Sequence, residues 1–256
     1  MIIASHNINS IRARLDRLLN WLSVRQPDVV CLQETKVEDK AFPYEVLQDA
    51  GYHVVHCGQK TYNGVAILSR EPLEDVHYGM DDGDDDDQAR LISATVRGLR
   101  VMSIYVPNGS TVDSDKYTYK RRWLKRLRAY LDQHHTPTDS LVLCGDYNVA
   151  PDEIDVHDPE LWRRSVLFSD EIRAALQEVL DFGLVDAYRL HTREPGKYTW
   201  WDYRMLAFPK NMGLRIDHLF VTQSVAERLE DAEIDREERK GTKPSDHAPI
   251  WIRLKD

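Results

Sequence analysis

Long apolar runs are missing from this chain of 256 residues. None approaches the roughly 18 residues that a membrane span needs, so none is expected. Its first residues, Met-Ile-Ile-Ala-Ser-His-Asn, lack a basic stretch followed by a long apolar one, and no secretion signal is expected. Cysteine is scarce. Cys31, Cys57 and Cys144 are odd in number and scattered, with no metal-ligand spacing. Cys31 and Cys144 sit in apolar runs and read as buried reduced thiols, which points to a cytoplasmic protein. Positive charge is in deficit too: the net charge is −9, which at first sight argues against a nucleic-acid partner. The deficit is local, however. Asp81 to Asp87 hold six aspartates around Gly83, and such a run reads as a solvated, mobile loop rather than a metal site. The opposite bias appears at 116–128, where Lys116, Lys120, Arg121, Arg122, Lys125, Arg126 and Arg128 meet no acid in sequence.

What is present is a 42% apolar composition, enough for a globular core, arranged in short β-type runs. They fall at Ile2–Ala4, Val29–Leu32, His53–His56, Val65–Leu68, Leu91–Val96, Val101–Val106, Leu141–Leu143, His218–Val221 and Ile250–Leu254. Helical spacing lies between them. Ile11–Leu22, Tyr117–Leu131 and Glu171–Leu180 each collect apolar residues on one face, the last with Gly183 as C-cap. No interdomain linker is visible, so residues 1–256 are expected to form a single domain. So many short apolar strands predict an α/β architecture: two packed sheets with helices outside. The two halves share a habit of ending strands in acid or amide groups, a hint of pseudo-symmetry.

Those polar strand ends carry the chemistry. Asn7 and Asn9 follow the first strand at spacing i, i+2, which would put them on one face of extended backbone; alone they read as turn residues. Glu34 ends Val-Val-Cys-Leu-Gln-Glu-Thr and wants either water or a cation. Asp146 and Asn148 end Leu-Val-Leu-Cys-Gly-Asp-Tyr-Asn; the acid suits holding or deprotonating a water and the amide suits orienting it. Tyr105 and Asn108 close another strand with groups able to donate to phosphate oxygens. Asp217 reads either as a partner for a nearby Arg or as the carboxylate that orients an imidazole. His247 is the natural imidazole, since Asp246 and the Pro244/Pro249 frame accompany it. Carboxylates and amides without a Cys or His cluster favour a hard cation, Mg²⁺ first and Mn²⁺ second.

Taken in order, Asn7-Ile-Asn9, Leu32-Gln-Glu-Thr-Lys36, Asn63-Gly-Val-Ala-Ile-Leu-Ser-Arg70, Tyr105-Val-Pro-Asn-Gly109, Gly145-Asp-Tyr-Asn148, Gly213-Leu-Arg-Ile-Asp217 and Ser245-Asp-His-Ala-Pro249 resemble the exonuclease III/AP endonuclease family. That family belongs to the endonuclease/exonuclease/phosphatase superfamily. Tyr198-Thr-Trp-Trp-Asp-Tyr203 points to its DNA-repair branch. The resemblance implies a four-layer α/β-sandwich, two mixed sheets flanked by helices, with the site at one end of the sheets. By the same motif match, Glu34 and Asp246 with Asn7 and Asn9 would surround a metal ion. A second ion would involve Asp146, Asn148 and His247. Asp146 would activate or protonate, Asn148 would orient the water, Tyr105 would hold the phosphate or leaving oxygen, and Asp217 would pair with His247. Trp200, Leu214 and Ile216 match positions that line a pocket for a flipped abasic deoxyribose. Ser10 departs from the pattern, which often has Gly there. The basic run at 116–128 is either a DNA-backbone contact or a solvated helix face.

The expected function is therefore Mg²⁺-dependent cleavage of double-stranded DNA 5′ to an abasic site, leaving a 3′-hydroxyl. A 3′→5′ exonuclease or 3′ end-cleaning activity would use the same site, and the protein is expected to act as a monomer. Two alternatives stand beside it. A phosphomonoesterase or lipid phosphodiesterase would act on inositol phosphates or sphingomyelin and have no use for the Trp200/Leu214 pocket. A non-catalytic DNA-binding module would bind abasic DNA without cutting it.

Overall fold

The computed structural model describes residues 1–255. Twelve strands form along them. The first six are β1 (Ile2–Asn7), β2 (Val29–Gln33), β3 (His53–Cys57), β4 (Val65–Ser69), β5 (Glu74–Tyr78) and β6 (Leu91–Val96). The rest are β7 (Leu99–Tyr105), β8 (Leu141–Asp146), β9 (Leu184–Asp186), β10 (Asp217–Thr222), β11 (Leu229–Ile234) and β12 (Ile250–Leu254). They make two six-stranded sheets, ordered β11-β12-β1-β2-β4-β3 and β5-β6-β7-β8-β10-β9. Across each sheet the pairings run antiparallel, antiparallel, parallel, antiparallel, antiparallel. The pseudo-symmetry hinted at by the strand ends is thus a real feature of the topology. The parallel pairs β1/β2 and β7/β8 are each joined through a helix, α1 (Ile11–Arg25) in the first half and α3 (Asp115–His134) in the second; α2 (Tyr44–Asp49) lies between.

Why the central strands read as unbroken apolar runs follows from burial on both faces. In β2 and β4, Val29, Cys31, Val65 and Ile67 pack between the sheets against Val142, Cys144 and Val101. Their alternating neighbours Val30, Leu32, Ala66 and Leu68 pack outward on Leu18, Trp21 and Leu22 of α1. The second sheet repeats this: Met102, Ile104 and Leu143 face Trp123, Leu124 and Leu127 of α3, with Ile172 and Leu176 of α5 (Asp170–Leu180). A short helix, α4 (Pro159–Trp162), precedes α5. Burial of each such side chain stabilises by roughly 1.5–3 kcal/mol, which is what holds four layers together. Among the described residues no helix is long and apolar enough to cross a membrane.

Local chemistry sets the helix ends. Ser114 and Ser169 cap α3 and α5, their hydroxyls accepting from Tyr117 N and Ile172 N. Helix α5 closes at Asp181, two residues before the expected Gly183 cap. Ser10 has φ +83 and makes no side-chain cap. Instead the Ser10 and Ile11 amides donate to the carbonyls of Glu34 (2.7 Å) and Thr35 (3.1 Å), tying α1 to the exit of β2. Glycine suits that left-handed backbone; serine adopts it at a cost of about 1–2 kcal/mol.

The Asp-rich loop is solvent-exposed, as its composition suggests, but Asp82, Asp84 and Asp86 are tethered to α3. Arg126 of α3 grips Asp82 through Nε (2.6 Å) and Asp86 through an η nitrogen (2.7 Å), while Arg122 reaches Asp84 at 3.1 Å. Tyr119 adds a hydrogen bond to Asp86 at 2.8 Å. Arg121 pairs with Glu171, and Arg128 with Asp132. The acidic loop thus engages Arg122 and Arg126 of the basic run, while Lys116, Arg121 and Lys125 remain exposed. Arg126→Met is expected to lower Tm by about 3–8 °C in low salt, since it strips charge-assisted hydrogen bonds from a largely buried guanidinium. Thermal melts at low and at 1 M salt (roughly a 3 Å screening length) check this. The gap between variant and wild type should narrow in salt, and an unchanged Tm would rule the clamp out.

Candidate active site

Strand register brings the polar ends together. Tyr105, Asp146 and Asp217 are cross-strand partners on β7, β8 and β10. From the other sheet Asn7, at the end of β1, donates through Nδ2 to Glu34 Oε1 (2.8 Å) and to Asp146 Oδ2 (2.9 Å). One amide thus ties the two sheets across the mouth of the site. Ser245 stitches in the C-terminal segment, its hydroxyl donating to Asn7 O (2.7 Å) and accepting from His247 N (3.2 Å).

Several of these residues do not hold extended backbone. Asn9, Glu34 and Asn148 have φ of +46, +51 and +51. Asn7 and Asn9 therefore do not share one extended face as their spacing suggests, and neither do Asp146 and Asn148. Asn9 instead turns back: its amide N–H donates to Asn7 Oδ1 (3.0 Å), and its side chain donates to Asp246 Oδ1 (2.8 Å). Lys36 donates to Asn9 Oδ1 at 2.7 Å, so both asparagine oxygens already accept hydrogen bonds. In this arrangement the Asn7 and Asn9 amides hold the Glu34, Asp146 and Asp246 carboxylates in place. Asn148 likewise folds onto Asp146, its main-chain N–H donating to Oδ1 at 2.9 Å. Asn108 donates to Asn148 Oδ1 at 3.0 Å, linking the two loops that flank the site.

Electrostatics sort the groups by role. Glu34 resists burial because Lys36 and Asn7 favour its charge, and it is held below the usual carboxylate range. Asp246 is held down the same way against burial, by His247, Asn9 and Trp200, whose indole donates to Oδ2 at 3.0 Å. Asp146 moves oppositely. Burial lifts it, His247 resists, and the neighbouring charges of Asp217 and Glu34 add to the rise, to about 7. His247 Nδ1 lies 2.8 Å from Asp217 Oδ2, and its Nε2 lies 3.8 Å from Asp146 Oδ2. Burial alone would neutralise this imidazole; the Asp217, Asp146 and Asp246 carboxylates outweigh it and raise it to about 10. Tyr105, under the Arg90 guanidinium at 4.8 Å, is pushed well above the usual phenol range by burial and by Glu34 and Asp146, so it remains a donor.

Glu34, Asp146 and His247 place one ligand atom each within 4.8 Å of one another. Two carboxylates, half-buried Glu34 and buried Asp146, the latter lifted by burial and then by like charge, form a donor set that fits a hard divalent cation. Asp246 stands outside that group, both its oxygens engaged by Asn9 and Trp200. Leu214 and Ile216 differ from expectation as well: they are 0% and 1% exposed, and lie in the core rather than on a pocket wall. The adjoining cavity of about 480 Å³ is bounded by Trp200, Trp162, Leu167, Arg164 and Asn108. Its aromatic wall is the two tryptophans, at 6.1 Å and edge-on.

Sequence reasoning missed three contributors. Thr199 accepts from the amides of Ile216 and Asp217 (both 3.1 Å) and so fixes the start of β10. Arg215, fully buried, binds Asp155, Asp186 and His218 behind that strand. Lys120 is fully buried beneath the site, where burial lowers its pKa to about 7 against the pull of Asp146.

Comparison with known proteins agrees with this geometry. A model of the endonuclease/exonuclease/phosphatase family matches residues 4–247. Exodeoxyribonuclease III of Haemophilus influenzae is 39% identical, with both chains covered completely. The structure of an AP endonuclease from Archaeoglobus fulgidus superposes with a TM-score of 0.97 at 42% identity, covering 100% of each chain. A 3′ phosphatase from Neisseria, bound to a product DNA hairpin, superposes at 0.95, also at 42% identity and full coverage. Sequence, fold and the convergence of the strand-end residues agree: this chain belongs to the endonuclease/exonuclease/phosphatase family.

Proposed function

We propose that this chain is a metal-dependent DNA-repair phosphodiesterase that cuts 5′ to abasic sites in double-stranded DNA and leaves a 3′-hydroxyl. The observation that carries it is the row Glu34–Asp146–His247–Asp217, in which Glu34 is held below the usual carboxylate range while its neighbour Asp146 is lifted to about 7. Acid–base pairs pushed apart in this way are what hydrolysis of a phosphodiester needs. Asp146, poised near neutrality, takes the proton of the attacking water, which Asn148 and Asn108 orient. The His247 imidazolium, its Nδ1–H held by Asp217, directs Nε2–H at a phosphate oxygen, and Tyr105 donates to the phosphate or the leaving oxygen. A doubly protonated imidazole presents N–H groups rather than a lone pair, so Glu34 and Asp146 are the residues that would hold the ion. Mg²⁺, with Mn²⁺ as substitute, would supply charge for the phosphate and the leaving oxygen. Trp200 and Trp162 would face the extruded sugar, with Leu214 and Ile216 supporting them from the core. The relative crystallised as a 3′ phosphatase favours a second use of this site, the trimming of blocked 3′ ends.

End-labelled duplexes bearing one abasic analogue, a nick or a 3′-phosphate test this, beside inositol phosphate and sphingomyelin. Cleavage is expected at the abasic site, abolished by EDTA and restored by Mg²⁺. Glu34→Gln should raise the Mg²⁺ concentration for half-maximal rate by about 10-fold or more, on the scale of a lost metal-site contact. Turnover of the lipid or inositol substrates alone, or EDTA-resistant cutting, would overturn the reading.

A further inference from the structure

We infer that Lys120 is a positioning residue for this hydrolysis: its ammonium fixes, from below, the loops that carry Asn108 and Asn148. The inference rests on the proposed phosphodiesterase reading. Lys120 falls on the apolar stripe of α3, with Tyr117, Leu124, Leu127 and Leu131, all buried. Its Nζ donates to three main-chain carbonyls: Asn108 (3.1 Å), Asn148 (2.6 Å) and Val166 (2.6 Å). Three donors meet three acceptors, which uses the full capacity of an ammonium. All three partners are neutral, so only the weaker pull of Asp146 offsets burial of the charge, which is expensive for stability alone. A leucine or methionine would suit a purely structural position on this stripe better.

What the charge does is hold loops that the backbone would otherwise release. The Asn108 loop follows β7, the Asn148 loop follows β8, and Val166 lies just before α5. Asn148 has left-handed backbone, and its carbonyl is one of the two that Lys120 meets at 2.6 Å. From there the side-chain amide reaches Val106 O (3.0 Å) and the main-chain N–H reaches Asp146 (2.9 Å). The lysine stem also needs Gly109, where a Cβ would meet Lys120 Cδ at 3.0 Å. A path of direct contacts thus runs from Lys120 through Asn148 to Asp146.

The test is a double-mutant cycle on an abasic duplex at saturating Mg²⁺, using Lys120→Met, Asn148→Ala and the pair. Lys120→Met should lower kcat by about 10–100-fold, as sub-ångström misplacement of catalytic groups does, with KM little moved. Combined with Asn148→Ala it should add almost nothing. In ¹⁵N NMR spectra the side-chain amide signals of Asn108 and Asn148 should shift in Lys120→Met while those of distant asparagines do not. If Lys120→Met is unfolded at the assay temperature, Lys120→Gln, which keeps two donors, takes its place. A folded variant with wild-type kcat, or costs that multiply in the pair, would overturn the inference. Wild-type protein that cuts no phosphodiester would instead sink the functional reading, and the amide shifts would still judge Lys120.

Discussion

Asp146→Asn is expected to lower kcat on an abasic duplex by on the order of 10²–10⁴-fold at saturating Mg²⁺, the range for removal of a general base. The substitution is nearly isosteric, yet the surroundings do not accept it as such. Asp146 Oδ1 receives the Asn148 N–H, and Oδ2 receives Asn7 Nδ2. An amide offers one acceptor oxygen, so its NH₂ must face a donor, and either Asn148 or Asn7 loses its hold. Base and scaffold are therefore impaired together. Raising Mg²⁺ should recover only the share lost through a weakened ion site, in contrast to Glu34→Gln, because the missing base does not respond to concentration. Steady-state kinetics with a Mg²⁺ titration make the comparison, and near-UV circular dichroism verifies the fold. An Asp146→Asn enzyme within about threefold of wild type, well inside the loss that base removal brings, would remove Asp146 from the chemistry.

How far such residues were legible in the sequence depended on burial. Strands β2, β4, β6, β8, β10 and β12 were visible because both faces pack and the run is apolar throughout. Edge strands β5, β9 and β11 were missed: Glu74–Tyr78 is mostly exposed, Leu184–Asp186 is only three residues long and Leu229–Ile234 is interrupted by acids, so none offers an apolar signal. The acidic and imidazole members of the site were legible because a charged group at the tip of a buried apolar strand must meet a cation, an ion-pair partner or water. Their backbone was not. Positive φ at Asn9, Glu34 and Asn148 goes with hydrogen bonds to segments more distant in sequence, from Asn9 to Asp246, from Ser10 to Glu34 and from Lys120 to Asn148, and period-two spacing has no way to express it.

Charge misled in a particular way. Lys120 looked like one of seven basic residues on a surface helix, although its register with Leu124, Leu127 and Leu131 placed it on the buried stripe. Periodicity carried that signal and composition hid it. The same composition made Arg122 and Arg126 look available, when the six-aspartate loop, 38 to 44 residues earlier in the chain, folds back on them. Trp162 was invisible for another reason: it lies on a four-residue helix with no motif, and becomes a pocket wall only through its edge-on contact with Trp200.

Asp217→Asn carries the second large effect, and its mark is a change in pH dependence as well as in rate. His247 is a cation because carboxylates outweigh burial, and Asp217, at 2.8 Å, is the foremost of them. With its pKa raised from 6.5 to about 10, the imidazolium persists across neutral pH, so the His247 limb of the wild-type rate profile should be flat between them. Removing the Asp217 charge leaves burial dominant and drops the pKa. The variant should then lose activity as pH rises through neutrality, the deficit being smallest near pH 6 and growing to about 10²–10⁴-fold above it. Stability follows the same sign. A folded-state pKa above the unfolded value stabilises fully below 6.5 and loses that contribution as pH rises towards 10. Asp217→Asn should therefore cost stability in EDTA at pH 6 to 8, and less as the wild type itself deprotonates. Rate profiles and denaturant melts across pH 5.5–9.5 read both effects. A variant whose profile stays parallel to that of wild type would mean that His247 does not act as a cation, and the assignment of Asp217 as its partner in catalysis would fall with it.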